Sequence, residues 1–228
     1  MIKNISLTLL CLISLNTFAQ ENWSVLFDGK SMDAWKGYLS PNISPEWTVK
    51  DKVLTFTPEP GRTQGGSNII TKEVFHDFEL SLEWKISKGG NSGIFWAVVE
   101  DSRYKEAYET GPEIQILDND EHPDGKILTH RAGSLYDMIQ AKPDQTNPVG
   151  QWNQCIIHID YTNNEAWVEL NGERVVQFKP KGSTWNAMVK NSKFRDWPGF
   201  AKLESGHIGL QDHDDIVHYK NIKIKKLK

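Results

Sequence analysis

The sequence predicts an all-β protein, a jelly-roll β-sandwich of two antiparallel sheets carrying one short helix near residues 184–193. Three observations carry this. Runs rich in β-branched and aromatic residues succeed one another along the 228 residues. Gly, Asn and Pro turn signals punctuate them, and one segment alone has convincing helical character.

Taken in order, residues 1–19 read as a secretory signal peptide. Met1-Ile2-Lys3-Asn4 is a short basic start, residues 7–15 are mostly apolar, and Thr17-Phe18-Ala19 is a small-x-small cleavage site. The apolar run is too short for a bilayer span. Cys11 lacks the small residues that precede a lipidated bacterial cysteine, which favours soluble export, periplasmic or secreted. Residues 20–228 are then expected to form a single domain with no membrane span.

Trp47-Thr48-Val49 and Val53-Leu54-Thr55-Phe56 flank a polar turn at Lys50-Asp51-Lys52. In residues 78–86, Leu80, Leu82, Trp84 and Ile86 fall on one face and Ser81, Glu83 and Lys85 on the other. Lys88-Gly89-Gly90-Asn91-Ser92-Gly93 reads as a turn before the apolar run at 94–99. Residues 119–150 form a long loop with Pro123, Gly125, Gly133, Pro143 and Pro148, and loops of that length are usually functional. Strands follow at 152–161, 165–170 and 174–178, the last two joined by Asn171-Gly172, a type I′ hairpin signal. The helix has Ser183 or Thr184 as its expected N-cap, and strands at 207–210 and 216–225 close the chain.

Nine Trp, nine Phe and six Tyr can bury a large core without disulfides. Of the two cysteines, Cys155 lies beyond the leader in a strand and reads as a buried structural thiol. The net charge of −4, with both signs interspersed, gives no support for nucleic-acid binding. Gly89-Gly90-Asn91-Ser92-Gly93 lacks the Lys-Ser/Thr of a P-loop, and no Gly-x-Ser-x-Gly elbow occurs.

The candidate site begins at Glu113-Ile114-Gln115-Ile116-Leu117-Asp118. Alternation puts Glu113 and Gln115 on one face, with Asp118 joining them only if a bulge falls near Leu117. Such a face is either solvated or the floor of a polar ligand site. Gln211 and His213 repeat the polar-x-polar pattern; if both strands share one concave sheet, the four side chains meet. The long loop adds His122, His130, Arg131, Tyr136 and Asp137. Arg131 and Tyr136 suit a sugar through hydrogen-bond donation, or serve loop packing. The His and carboxylate groups permit a divalent metal ion, but no spacing such as His-Glu-x-x-His specifies one.

Phe27-Asp28-Gly29-Lys30 with Trp35, Asn91-Ser92-Gly93-Ile94, the strand at Glu113, Gly150-Gln151-Trp152-Asn153, Leu170-Asn171-Gly172 and His207-Ile208-Gly209-Leu210-Gln211-Asp212-His213 together resemble the 3-keto-disaccharide hydrolase family. The resemblance runs from about Trp23 to the C-terminus. It implies a concanavalin A-like fold and action on small carbohydrates oxidised to a ketone at C3. The export signal resembles those of Bacteroidetes proteins. Glu113-x-Gln115-x-x-Asp118 also resembles the Glu-x-Asp-x-x-Glu of laminarinase-type glycosidases. Gln115 and the short Asp118 depart from it where ordinary retaining hydrolysis needs two closely spaced carboxyl groups. The 3-keto resemblance suggests instead C2 proton abstraction, loss of the C1 substituent and hydration. His213 or Glu113 would be the base, with Gln115, Gln211 or a bound cation holding the enolate oxygen. Tyr136, His130 or Asp118 would assist departure. The alternative is a non-catalytic lectin-like module relying on aromatics such as Trp96.

Overall fold

The computed structural model describes residues 22–62 and 65–228, so the expected leader lies outside the described residues. Strands run in chain order as β1 (Ser24–Phe27), β2 (Trp35–Gly37), β3 (Trp47–Lys50), β4 (Val53–Phe56), β5 (Ile69–Thr71), β6 (Phe78–Ile86) and β7 (Asn91–Val98). They continue as β8 (Glu113–Leu117), β9 (Asn153–Asp160), β10 (Glu165–Leu170), β11 (Glu173–Phe178), β12 (His207–Leu210) and β13 (Val217–Lys226), with α1 (Ser183–Asn191) before β12. An eight-stranded sheet follows the order β11-β10-β9-β6-β13-β4-β3, with β1 paired to β13; the five-stranded sheet runs β2-β5-β12-β7-β8. Every named pairing among the described strands is antiparallel, so the jelly-roll prediction holds.

The core lies between the sheets. Leu80, Leu82, Trp84 and Ile86 of β6 face Ile94 and Trp96 of β7 and Ile114 and Ile116 of β8 within one apolar cluster. Burying each such side chain contributes about 1.5–3 kcal/mol, which concentrates stability on this inner layer. Asn171 and Gly172 both take positive φ (51° and 88°), as a type I′ hairpin demands. The turn between β6 and β7 is shorter than expected: Gly90 N donates to the Ser87 carbonyl, and Asn91-Ser92-Gly93 already belongs to β7. The helix begins at Ser183 with Gly182 as N-cap and no side-chain cap, so neither Ser183 nor Thr184 caps it.

Cys155 is fully buried in β9, and desolvation pushes its thiol up to about 12. A thiol-specific reagent should therefore leave it unmodified in the native protein and label it only on unfolding. Rapid native labelling would contradict this packing.

Candidate active site

Strand β7 lies between β8 and β12, so the two polar-x-polar segments flank it on one sheet. Gly93 pairs with Gln115, Phe95 pairs with Glu113, and Gln211 N donates to the Gly93 carbonyl at 3.0 Å. Since Ile114 and Ile116 face the core, Glu113 and Gln115 face away from it. The segment around Tyr136 covers the exposed edge of β8: Gln115 N donates to the Ser134 carbonyl and Tyr136 N to the Glu113 carbonyl.

Above this floor is a cavity of about 330 Å³ lined by Asn91, Glu113, Gln115, Gln211, His213 and Tyr136, with Tyr108, Lys193, Phe194 and Trp197 forming the remaining wall. Larger cavities exist, including one of about 480 Å³ beside α1, but the smaller one holds the buried carboxyl. Glu113 is 7% exposed. Desolvation pushes its carboxyl up to about 8, opposed by Lys193 and reinforced by Asp124. With its nitrogen facing the available acceptors, the Gln115 amide donates to Glu113 Oε1 at 3.2 Å and to the Ser92 carbonyl at 2.9 Å.

Gly93 makes room for this carboxyl. A Cβ there would overlap Glu113 Oε1 and lie 2.7 Å from its Cδ. Asn91 Oδ1 and Gln211 Oε1 are buried acceptors without a partner. Leaving such an atom unsatisfied costs about 1–3 kcal/mol, a cost that hydroxyl donors of a ligand would relieve. Asn91 Nδ2 lies 3.4 Å from His213 Nε2, and Asp215 accepts from Asn91 N at 3.0 Å. Burial pushes the Tyr136 phenol well above its usual range, with Glu113 and Asp124 adding to it. Its hydroxyl donates to Asp124 Oδ2 at 3.2 Å.

Four expected site residues lie elsewhere. Trp96 is in the core between the sheets, its indole N–H donating to Tyr161 Oη, so it offers no stacking surface. Asp118 does not join the Glu113 face. The β7–β8 register runs without a bulge, and the Asp118 carboxylate instead accepts from Gly89 N, Asp120 N and Glu121 N, closing a turn. Arg131 donates to the Gly125 carbonyl and pairs with Asp144, bracing the long loop. His130 stands behind the cavity, its ring tilted by 31° against Tyr136 at 4.3 Å with Nε2 3.0 Å from Asp137 Oδ1. It supports Tyr136 and does not line the pocket.

Asn91, Gly93, Tyr108, Lys193, Phe194 and Trp197 are the site residues not anticipated from sequence. Among the described residues no group of three or more His, Cys, Asp or Glu side chains is arranged to hold a metal ion.

Fold and site define a jelly-roll protein with a buried carboxyl in a cavity on the outer face of its smaller sheet. Residues 22–225 match the model of the 3-keto-alpha-glucoside-1,2-lyase-like domain, and the chain belongs to that family. It is 36% identical over 231 residues to a 3-keto-disaccharide hydrolase of Bacteroides thetaiotaomicron, covering 91% of this chain and 79% of that protein. A crystal structure from Parabacteroides distasonis, provisionally described as a glycosyl hydrolase, superposes with a TM-score of 0.83 at 30% identity, covering 90% of this chain and 94% of that one. The carbohydrate binding module CBM66 of Bacillus subtilis shares the fold at 12% identity and a TM-score of 0.52, covering 85% of this chain and 96% of the module.

Proposed function

We propose that the protein is a glycoside-cleaving enzyme acting on sugars that carry a ketone at C3. Family membership and the Bacteroides relative support glycoside cleavage. The observation that carries the mechanism is Glu113, a buried carboxyl held close to the working pH range on a floor of amide groups.

In this reading Glu113 takes the proton from C2, which the adjacent ketone acidifies. The C–H electrons form the enolate, whose oxygen bears the charge at C3. Lys193 and the amides of Asn91 and Gln211 offer the cation and N–H donors of the cavity wall to that oxygen. The enolate then expels the C1 substituent, leaving a C1=C2 double bond conjugated to the ketone. His213, or the Tyr136 phenol, protonates the departing oxygen. Water adds its hydroxyl at C1 and gives its proton to the His213 or Tyr136 group that protonated the leaving oxygen, while the proton on Glu113 returns to C2, giving net hydrolysis with both groups restored. His130 and Asp118 have no part in departure because they lie outside the cavity.

A base must lose its proton before it acts. With Glu113 near 8, its deprotonation should give kcat/KM a limb that rises with pH toward about 8. A rate profile on a 3-keto-glucoside, set beside the unoxidised parent, tests this. A profile falling over the same range would remove Glu113 from the base role, and equal cleavage of both substrates would refute the ketone requirement.

A further inference from the structure

We propose that Tyr108 and Trp197 form the leaving-group subsite, selecting substrates whose C1 substituent presents a flat apolar face. This rests on the 3-keto-glycoside reading above. Four aromatic side chains line the cavity, but two are committed within the protein. Tyr136 packs against the His130 ring at 4.3 Å and carries Lys193 Nζ 4.2 Å from its centroid. Phe194 is 3% exposed and stacks on Phe200 at 3.9 Å with 9° between the planes. Tyr108, by contrast, is 37% exposed, and Trp197 is half-buried. Their rings lie 5.9 Å apart, forming the aromatic rim over a polar floor.

The rim is built to hold its shape. Tyr108 sits on a 3₁₀ turn, Ala107–Glu109, and Trp197 on the segment after α1. Ala201 N donates to the Thr110 carbonyl at 2.8 Å, which latches the two together. Trp197 also packs edge-to-face with Phe194 at 5.1 Å.

Geometry orders a substrate along this polarity gradient. Glu113 at the buried base must meet C2, so the ketone and its neighbours occupy the polar end. C1 is one bond from C2, and its substituent leaves toward the open rim. A cavity of about 330 Å³ is at the small end of ligand pockets, roughly 300–1,000 Å³, so a bulky substituent must lie against Tyr108 and Trp197. An aryl ring and the C–H face of a second pyranose share the required chemistry.

The test is calorimetric binding in the Glu113→Gln protein, whose turnover is slowed. The ligands are methyl and phenyl 3-keto-glucosides and a 3-keto-disaccharide. The phenyl-over-methyl preference should fall roughly three- to tenfold on Trp197→Ala, persist in Trp197→Phe, and fall also in Tyr108→Ala, at an exposed position that leaves the core untouched. A disaccharide that tracks the phenyl ligand through these variants identifies a second sugar as an occupant; one that tracks the methyl ligand restricts the subsite to aryl groups. Equal losses for all three ligands, or a preference unchanged in both alanine variants, would overturn the subsite. Failure of the wild-type protein to cleave any of them would refute the proposed function without altering this binding contrast.

Discussion

Glu113→Gln should lower kcat on a 3-keto-glycoside by roughly 10²–10⁴-fold while leaving binding largely intact, because it removes the proton acceptor and keeps the side-chain shape. Its effect on stability should run the other way. A carboxyl raised from 4.5 to about 8 by folding keeps its proton where the unfolded chain has already lost it. The native protein is therefore progressively destabilised as pH rises from about 4.5 to about 8, where the folded form too gives up its proton. Glutamine does not titrate, so the Tm of the variant should gain on wild type across that window. Melting curves near pH 5 and near pH 8, beside steady-state kinetics, read both effects. Near-normal turnover would exclude Glu113 as the base, and a Tm difference independent of pH would show that its burial does not set its protonation.

What could be read in advance follows the range of the interactions. Alternation in β6 is a local period-two pattern, and Leu80, Leu82, Trp84 and Ile86 are all buried as it requires. The same rule paired Glu113 with Gln115 and Gln211 with His213, and these four meet. That β7 lies between them depends on long-range pairing, which no local pattern encodes. The run at 94–99 is apolar throughout, so the sequence does not tell its two faces apart, and Trp96, expected as a stacking aromatic, lies in the core. Asp118 went astray for a different reason: a short carboxylate after a strand readily accepts nearby backbone N–H groups, and this local bonding outcompetes a place in the cavity. Lys193, Phe194 and Trp197 enter from the segment after α1. Their aromatic spacing, Phe194 and Trp197 three residues apart, was the one available signal. Gly93 reads in the sequence as a turn residue and as part of the Asn91-Ser92-Gly93-Ile94 resemblance, whereas its structural use is a missing side chain beside a carboxyl.

That use makes Gly93→Ala the sharper probe of the site. Gly93 lies in the interior of its sheet, paired to Gln115 on one side and accepting from Gln211 N on the other, so its backbone has little room to retreat. The added methyl would overlap Glu113 Oε1 and come within 2.7 Å of Cδ and 2.9 Å of Cγ. The carboxyl must swing away, breaking its contact with the Gln115 amide. A displacement of about 1 Å at a reacting group can cost about 10²-fold in rate, and that loss is expected in kcat. Overpacking costs typically 1–3 kcal/mol, and because a side-chain end can rotate, the cost here should fall toward the lower bound. The two positions should be coupled. In a Glu113→Ala background the obstructing carboxyl is gone, so Gly93→Ala should add little further loss of stability or rate. Denaturant titration and kinetics on the four proteins of this cycle measure the coupling. If Gly93→Ala retains wild-type turnover, or if its stability cost is the same in both backgrounds, the methyl is not meeting the Glu113 carboxyl and the base lies elsewhere in the cavity.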